Sequence, residues 1–208
     1  MPTLYNRIQG RNIERLAALS DGIFAVAMTL LVLDLHLPTA AQVHSERELF
    51  AALTALSPQW IAYLMSFLTL GIFWAGQQTQ LNHIDEGSRD LTWIHLGFLF
   101  TITLMPLSTR LLAEFITYRA ALGIYWLNIF AAGAMLYWSW AHATRANLIK
   151  PDTPPEIRDS ICRRIRIAQS LYAAGAALCF INTYVSIAAI VVVQLNYAIA
   201  PRFWWKRE

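Results

Sequence analysis

The chain has 208 residues, of which 57% are hydrophobic and 14% charged, and its mean hydropathy is +0.42. This composition excludes an ordinary soluble domain. The net charge of +3 is carried largely by the ends of apolar segments, which argues against a nucleic-acid partner. We predict a single all-α transmembrane domain over residues 1–208, with six membrane-spanning helices near residues 16–37, 58–81, 91–113, 120–143, 165–181 and 183–200.

The first apolar segment is bounded by acids. Ser20-Asp21-Gly22 leads into it and Asp34 ends it. A carboxylate at membrane depth costs about 2.5–3.5 kcal/mol, so such residues usually face a protein interior or an aqueous path. A secretory signal peptide is the alternative, since a short apolar run precedes small residues, but the flanking acids argue against it.

Helical rotation of about 100° per residue groups the apolar residues of this segment on one stripe. Asp34 lies beside the stripe, Thr29 borders it, and Asp21 points away from it towards its own subunit. The stripe consists of Ile23, Val26, Leu30, Leu33 and Leu37. It could pack on neighbouring helices or lipid, or several copies could meet on a symmetry axis as a hydrophobic constriction that gates by dewetting. Spacing alone leaves both readings open.

The later segments contain clear helix signals. Ser57-Pro58 resembles a cap followed by proline at the first helical position, and Pro106 predicts a kink in the third span. We expect linkers at residues 38–57, 82–90 and 145–164, the last containing prolines that oppose a continuous helix. The last two spans are short and meet at Asn182, which predicts a helical hairpin.

Basic residues predict the orientation. All Lys and Arg except Arg47, Arg110 and Arg119 fall on one side of the predicted topology. Because basic residues are retained on the cytoplasmic side, both termini are predicted to be cytoplasmic.

Other chemistry-bearing residues are scattered. His95 lies inside the third span and is a candidate proton-sensitive group. The remaining histidines show no metal-ligand spacing, and Cys162 and Cys179 suggest neither a disulfide nor a metal site. No nucleophile elbow, phosphate loop or catalytic carboxylate pair is evident in the sequence, so we do not expect an enzyme.

Residues 15–22, Arg-Leu-Ala-Ala-Leu-Ser-Asp-Gly, resemble the motif Arg-x-x-x-Phe-Ser-Asp-Gly of the transmembrane protein 175 family of potassium channels, in its single-copy bacterial form. The third span is similar as well, with Trp93, Phe98, Leu99, Pro106 and Ser108-Thr109 in the family's order. Leu19 replaces the motif phenylalanine, and Gln77-Gln78 stands where the family often has histidine.

The resemblance implies a homotetramer in the lipid bilayer of a bacterial inner membrane, with first helices lining a central pore that conducts monovalent cations, chiefly potassium. It implies no P-loop filter and no cofactor apart from the permeant ion. The implied constriction is Val26, Leu30 and Leu33, the flanking pore lining is Ile23, Thr29 and Leu37, and the pore mouth is Asp34. Support and gating are assigned to the motif residues Arg15, Ser20, Asp21 and Gly22.

Two points stay open at this stage. A straight helix places Arg15 on the stripe side and away from Asp21, so either the chain bends between them or the partner of Asp21 lies on another helix. The functional alternatives are a proton-coupled secondary transporter with Asp21, His95 and Glu114 as a relay, and a non-conducting scaffold, which would need a binding domain or long tails.

Overall fold

The computed structural model describes residues 12–199, apart from the side chain at position 42, and their secondary structure is helical. Short 3₁₀ helices occupy Ala40–Gln42 and Leu178–Phe180. The α-helices are α1 (Ile13–Leu33), α2 (Glu46–Ala55), α3 (Ser57–Leu81), α4 (Arg89–Thr103), α5 (Met105–Glu114), α6 (Arg119–Arg145), α7 (Pro155–Ala177) and α8 (Thr183–Ile199). Outside the described residues lie the predicted end at residue 200 and the predicted cytoplasmic residues Arg7, Arg11, Arg202, Lys206 and Arg207.

Within residues 12–199, four helical segments are long and apolar enough to cross a membrane. They are Ile13–Leu33, Ser57–Leu81, Arg89–Glu114 and Arg119–Arg145. Helix α8 is apolar but shorter, and α7 is charged in its first half and apolar in its second. The chain is therefore a multi-pass membrane protein, while the number of six spans stays a prediction.

Three predicted boundaries differ from the structure. Helix α1 ends at Leu33, with Asp34 as its C-cap, so Leu37 lies beyond the helix and off its stripe. The linker at residues 38–57 contains α2, which Ser45 caps through its side chain. Helix α7 begins at Pro155, within the predicted linker 145–164, because proline at the first helical position lacks only an N–H that would be unpaired there.

The third span breaks where Pro106 predicts a kink, with Leu104 between α4 and α5. The side-chain amide of Asn128 on α6 bridges the break. Its nitrogen donates to Thr101 O at 3.0 Å, and its oxygen accepts from Met105 N at 3.3 Å and from Ser108 Oγ at 3.2 Å. A broken helix needs such partners inside a membrane, where backbone groups have no water.

Helix α6 occupies the centre of the core. Leu122, Tyr125, Ile129 and Ala132 are fully buried along it, and it packs against α4, α5 and α7. Helix α1 packs on α3 and α4, where the ring of Phe24 lies 6.0 Å from that of Phe98. The core thus holds α1 by one face only.

The connecting loops gather at the two ends of the bundle. At one end, Asp85 N donates to Leu148 O at 2.8 Å and Lys150 N donates to His83 O at 2.9 Å. These bonds form an isolated antiparallel β-bridge between Ile84 and Ile149. At the other, Thr183 Oγ1 donates to Thr117 O at 3.3 Å. The loops at 82–88 and 146–154 therefore share one side, as the charge count assumes; which side is cytoplasmic stays a prediction.

Candidate functional site

Helix α1 has one face against the protein and one face away from it. The inner face is buried and consists of Leu16, Ser20, Phe24, Ala27 and Leu31. On the opposite side, Val26 is 57% exposed, Leu30 44% and Leu33 75%. Ile23 is partly buried between the two faces. Val26 and Leu30 also line a groove beside Thr103 and Pro106, but each residue of the row stays at least 44% exposed in the described chain.

Thr29 and Asp34 are the polar residues beside this row. Thr29 is exposed and donates its hydroxyl proton to the carbonyls of Ala25 and Val26, both at 2.9 Å, which leaves oxygen lone pairs for another partner. Asp34 caps the C-terminus of α1, where the helix dipole disfavours an anion. Helix stability therefore does not explain an acid at this position.

Asp21 is held by α3. Its Oδ1 accepts from Trp74 Nε1 at 2.8 Å and from Gln78 Nε2 at 2.7 Å. Helix α1 runs unbroken through this step, and Arg15 forms no ion pair with Asp21 in the described part of the chain. The partners of the motif acid are thus neutral donors on another helix.

Ser20 turns to the other side of the α1–α3 contact and is fully buried. Its hydroxyl lies 2.9 Å from the carbonyl of Leu16 and 2.9 Å from His95 Nε2 on α4. Gln77 Nε2 on α3 lies 3.2 Å from the same imidazole nitrogen. Adjacent glutamines of α3 therefore contact the two motif residues. Gln77 reaches Ser20 through His95, and Gln78 bonds directly to Asp21.

Gly22 lies in a groove between α1 and the α4–α5 break. The groove has a volume of about 420 Å³ and is lined in part by Leu19, Val26, Thr103 and Pro106. A Cβ built on Gly22 meets no atom within 4 Å. Packing within the subunit therefore does not explain a glycine here.

A second polar cluster lies deeper in the bundle and was not predicted from the sequence. Thr109 donates to Ser66 at 2.6 Å, Tyr125 lies 3.3 Å from both Ser66 and Thr69, and Gln194 donates to Thr69 at 2.7 Å. A signal was available, because the buried polar residues of α3 (Ser66, Thr69, Gln77 and Gln80) recur with helical spacing on one face.

The structure does not bring the three proposed relay residues together. Asp21 bonds to Trp74 and Gln78, His95 contacts Ser20 and Gln77, and Glu114 pairs with Arg110 at 3.1 Å. No hydrogen bond connects one of the three to another among the described residues. This arrangement lacks the continuous chain that a proton relay would use.

Comparison with known proteins gives a consistent family. A model described as "Endosomal/lysosomal potassium channel TMEM175" matches residues 15–106. A potassium channel of Chamaesiphon minutus is 30% identical over 190 residues, which cover 89% of this chain and 93% of the relative. The chain belongs to the TMEM175 family. A potassium channel of Streptomyces collinus is 30% identical over 191 residues, covering 88% of this chain and 90% of the relative.

The fold is similar to a solved TMEM175 structure. The crystal structure of a lysosomal potassium-selective channel TMEM175 homolog from Chamaesiphon minutus matches with a TM-score of 0.79 and 27% identity, covering 90% of this chain and 97% of that chain. The TMEM175 model match at 15–106 takes in α1 and its polar partners Trp74, Gln77, Gln78 and His95. Of the cluster around Tyr125, Ser66 and Thr69 lie within that match, and Thr109, Tyr125 and Gln194 lie outside it.

Proposed function

We propose that this chain forms a potassium-permeable channel, a homotetramer in which the α1 helices surround a central pore. The observation that carries the proposal is the row of Val26, Leu30 and Leu33, exposed on the helix that bears the family motif. The whole-length relatives named as potassium channels support the same function. Neither they nor the sequence suggest an enzyme or a nucleic-acid partner.

Conduction follows from the character of this row. Four copies of Val26, Leu30 and Leu33 would form stacked apolar rings, which gate ions by dewetting without a P-loop filter. Ile23 flanks the rings on α1, Leu37 follows the end of the helix beyond Asp34, and Thr29 offers hydroxyl oxygens next to the rings. Because valine is smaller than leucine or isoleucine, the ring at Val26 is expected to be the wider one and to select potassium less strictly.

Electrostatics favours cations over anions at the mouth. Four copies of Asp34 around one axis would attract potassium and repel anions. The cost of an acid at a helix C-terminus then has a functional reason. We assign this end of α1 to the outer mouth, with both termini cytoplasmic, as the distribution of Lys and Arg favours.

The inner face of α1 supplies support and gating. Ser20 and Asp21 fix the helix to α3 and α4 through His95, Trp74 and Gln78. A change in these bonds would rotate or tilt α1 and so move the apolar rings. The groove at Gly22 leaves room for a neighbouring subunit to approach. Arg15 lies two turns before Gly22 on α1, near the cytoplasmic entrance of the proposed pore.

A liposome flux assay tests the proposal. Purified protein is reconstituted in liposomes loaded with potassium, and potassium efflux is followed with a protonophore and a pH-sensitive dye, with sodium-loaded liposomes in parallel. We expect potassium flux to exceed sodium flux and to change in Leu30→Asn, which makes one ring polar and easier to wet.

The matched control is Leu127→Asn on α6, where the wild-type leucine is 55% exposed but lies outside the proposed pore. Its flux should stay at the wild-type level. An intact tetramer that passes no cation would overturn the channel proposal and favour the proton-coupled transporter. Equal effects of the two variants would contradict a constriction at Leu30.

A further inference from the structure

A second cavity lies between α3, α6, α7 and α8, away from the exposed row of α1. Its volume is about 150 Å³, similar to engineered apolar cavities that admit a benzene molecule. Phe73, Leu136, Ile165 and Ala168 contribute apolar walls. The cavity lies towards the end of the bundle that carries the loops at 82–88 and 146–154.

Three polar atoms around this cavity have no hydrogen-bond partner among the described residues. They are Gln80 Nε2, the Tyr172 hydroxyl and Gln169 Oε1, and all three residues line the cavity. Gln80 is only 2% exposed and Tyr172 only 3%. Two unpaired donors and an unpaired acceptor therefore lie on residues that line one cavity, and because unpaired polar atoms destabilise a buried site, a ligand that bonds to them would stabilise it.

A cation lies at the mouth of the same cavity. Arg164 is exposed and lines the cavity, and its guanidinium lies 5.6 Å from the ring centre of Tyr197. It forms no ion pair with a described carboxylate. Stacking on Tyr197 orients the guanidinium and leaves its N–H groups available for an anion.

We propose that this cavity binds an anionic phospholipid of the surrounding bilayer. The phosphate contacts Arg164, an ester carbonyl accepts from Gln80 Nε2 or the Tyr172 hydroxyl, and a headgroup hydroxyl donates to Gln169 Oε1. The ester region and the first methylenes lie on the apolar walls. The combination of an apolar wall, buried donors and a cation at the mouth matches an anionic lipid better than a soluble anion, which would leave the apolar walls uncovered.

Native mass spectrometry of the full-length oligomer tests this assignment. Delipidated protein is titrated with phosphatidylglycerol and, separately, with phosphatidylcholine carrying the same acyl chains. We expect one phosphatidylglycerol per subunit, bound more tightly than phosphatidylcholine. Arg164→Gln should weaken phosphatidylglycerol binding about tenfold, the effect of losing one charge-assisted hydrogen bond.

The control for charge is Arg166→Gln, on the same helix but outside the cavity lining. It should bind phosphatidylglycerol as the wild type does. A second variant, Ala168→Leu, fills the apolar wall and should weaken both lipids, whereas Ala174→Leu on the exposed side of α7 should not. The oligomer mass in each spectrum shows that the variant has assembled.

Several outcomes would overturn the proposal. Equal affinity for the two lipids, or equal losses in Arg164→Gln and Arg166→Gln, would rule out a built anion site. Full competition by glycerol 1-phosphate would mean that a headgroup alone is recognised. Unchanged binding in both Arg164→Gln and Ala168→Leu would mean that the lipid binds elsewhere on the protein and not in this cavity. Because the readout is mass, it is independent of ion flux.

Discussion

The two faces of α1 differ in their surroundings: one packs inside the subunit and the other is exposed outside it. On the inner face, Ser20 is fully buried and Phe24 is 2% exposed, and both have partners on α3 or α4. On the outer face, Leu30 and Leu33 are 44% and 75% exposed, and neither belongs to the core cluster of the described chain. The fold of one subunit explains the inner face, whereas the outer face reflects whatever surrounds that subunit. Stability and conduction should therefore respond to substitutions on different sides of one helix.

The largest expected effect is on the inner face. Phe24→Ala removes a ring that packs on Phe98 and should destabilise the protein by about 3–5 kcal/mol, because it leaves a cavity in the core. Leu30→Ala on the outer face should stay within about 0.5 kcal/mol within the subunit. Thermal unfolding in mild detergent, followed by size exclusion, compares them; equal losses would contradict the separation of the faces.

Asp21 is the motif residue of α1 that accepts hydrogen bonds from α3. Asp21→Ala removes the acceptor of Trp74 and Gln78 and should cost about 1.5–3 kcal/mol, the range for hydrogen bonds to a charged group. This is less than breaking a buried ion pair would cost. Asp21→Asn keeps an acceptor and should be milder in the same unfolding assay. An asparagine variant as unstable as the alanine variant would point to an ionic partner outside residues 12–199.

The contact between Ser20 and His95 should show a smaller coupling. A double-mutant cycle with Ser20→Ala and His95→Phe isolates the 2.9 Å bond from the packing of either residue. We expect a coupling energy of about 0.6 kcal/mol and no more than about 1.7 kcal/mol, the average and the maximum measured for hydrogen bonds between membrane helices. Additive effects of the two variants would show that Gln77 alone holds the imidazole.

The smallest effect is expected at Asp34, with opposite signs in two assays. Asp34→Asn removes an acid from a helix C-terminus and should stabilise the protein by about 0.3 kcal/mol. It should lower potassium flux at low salt, where the Debye length is about 30 Å at 0.01 M, and less at 0.1 M, where it is about 10 Å. A salt-independent effect on flux would exclude a role for Asp34 through its charge.

The sequence predicted what depends on local pattern. Apolar length located α1, α3 and α6 within a few residues, and Pro106 located the α4–α5 break. The helical start of α7 was missed because charge and proline content outweighed the capping role of Pro155. Of the predicted stripe, Val26, Leu30 and Leu33 are exposed and Ile23 is partly buried. Leu37 lies off the helix, since the chain leaves it at Asp34.

The polar partners of the motif could not be predicted in the same way. Rotation indicated that Asp21 faces its own subunit, but identifying Trp74 and Gln78 requires the axial position of α3 against α1. The same is true of Ser20 with His95 and of Asn128 with the break. These contacts join residues that are distant along the chain, and their spacing within one helix holds no information about the helix opposite.

The buried polar residues of α3 also fix its axial position in the bundle. Successive turns contact different helices: Ser66 meets α5, Thr69 meets α8, and Gln77 meets α4. Apolar surfaces slide over each other easily in a bilayer, but a shift of α3 by one turn would separate all these pairs at once. The bundle therefore has one axial alignment, fixed by polar contacts. The exposed apolar residues of α1 can consequently be changed in size without disturbing that alignment.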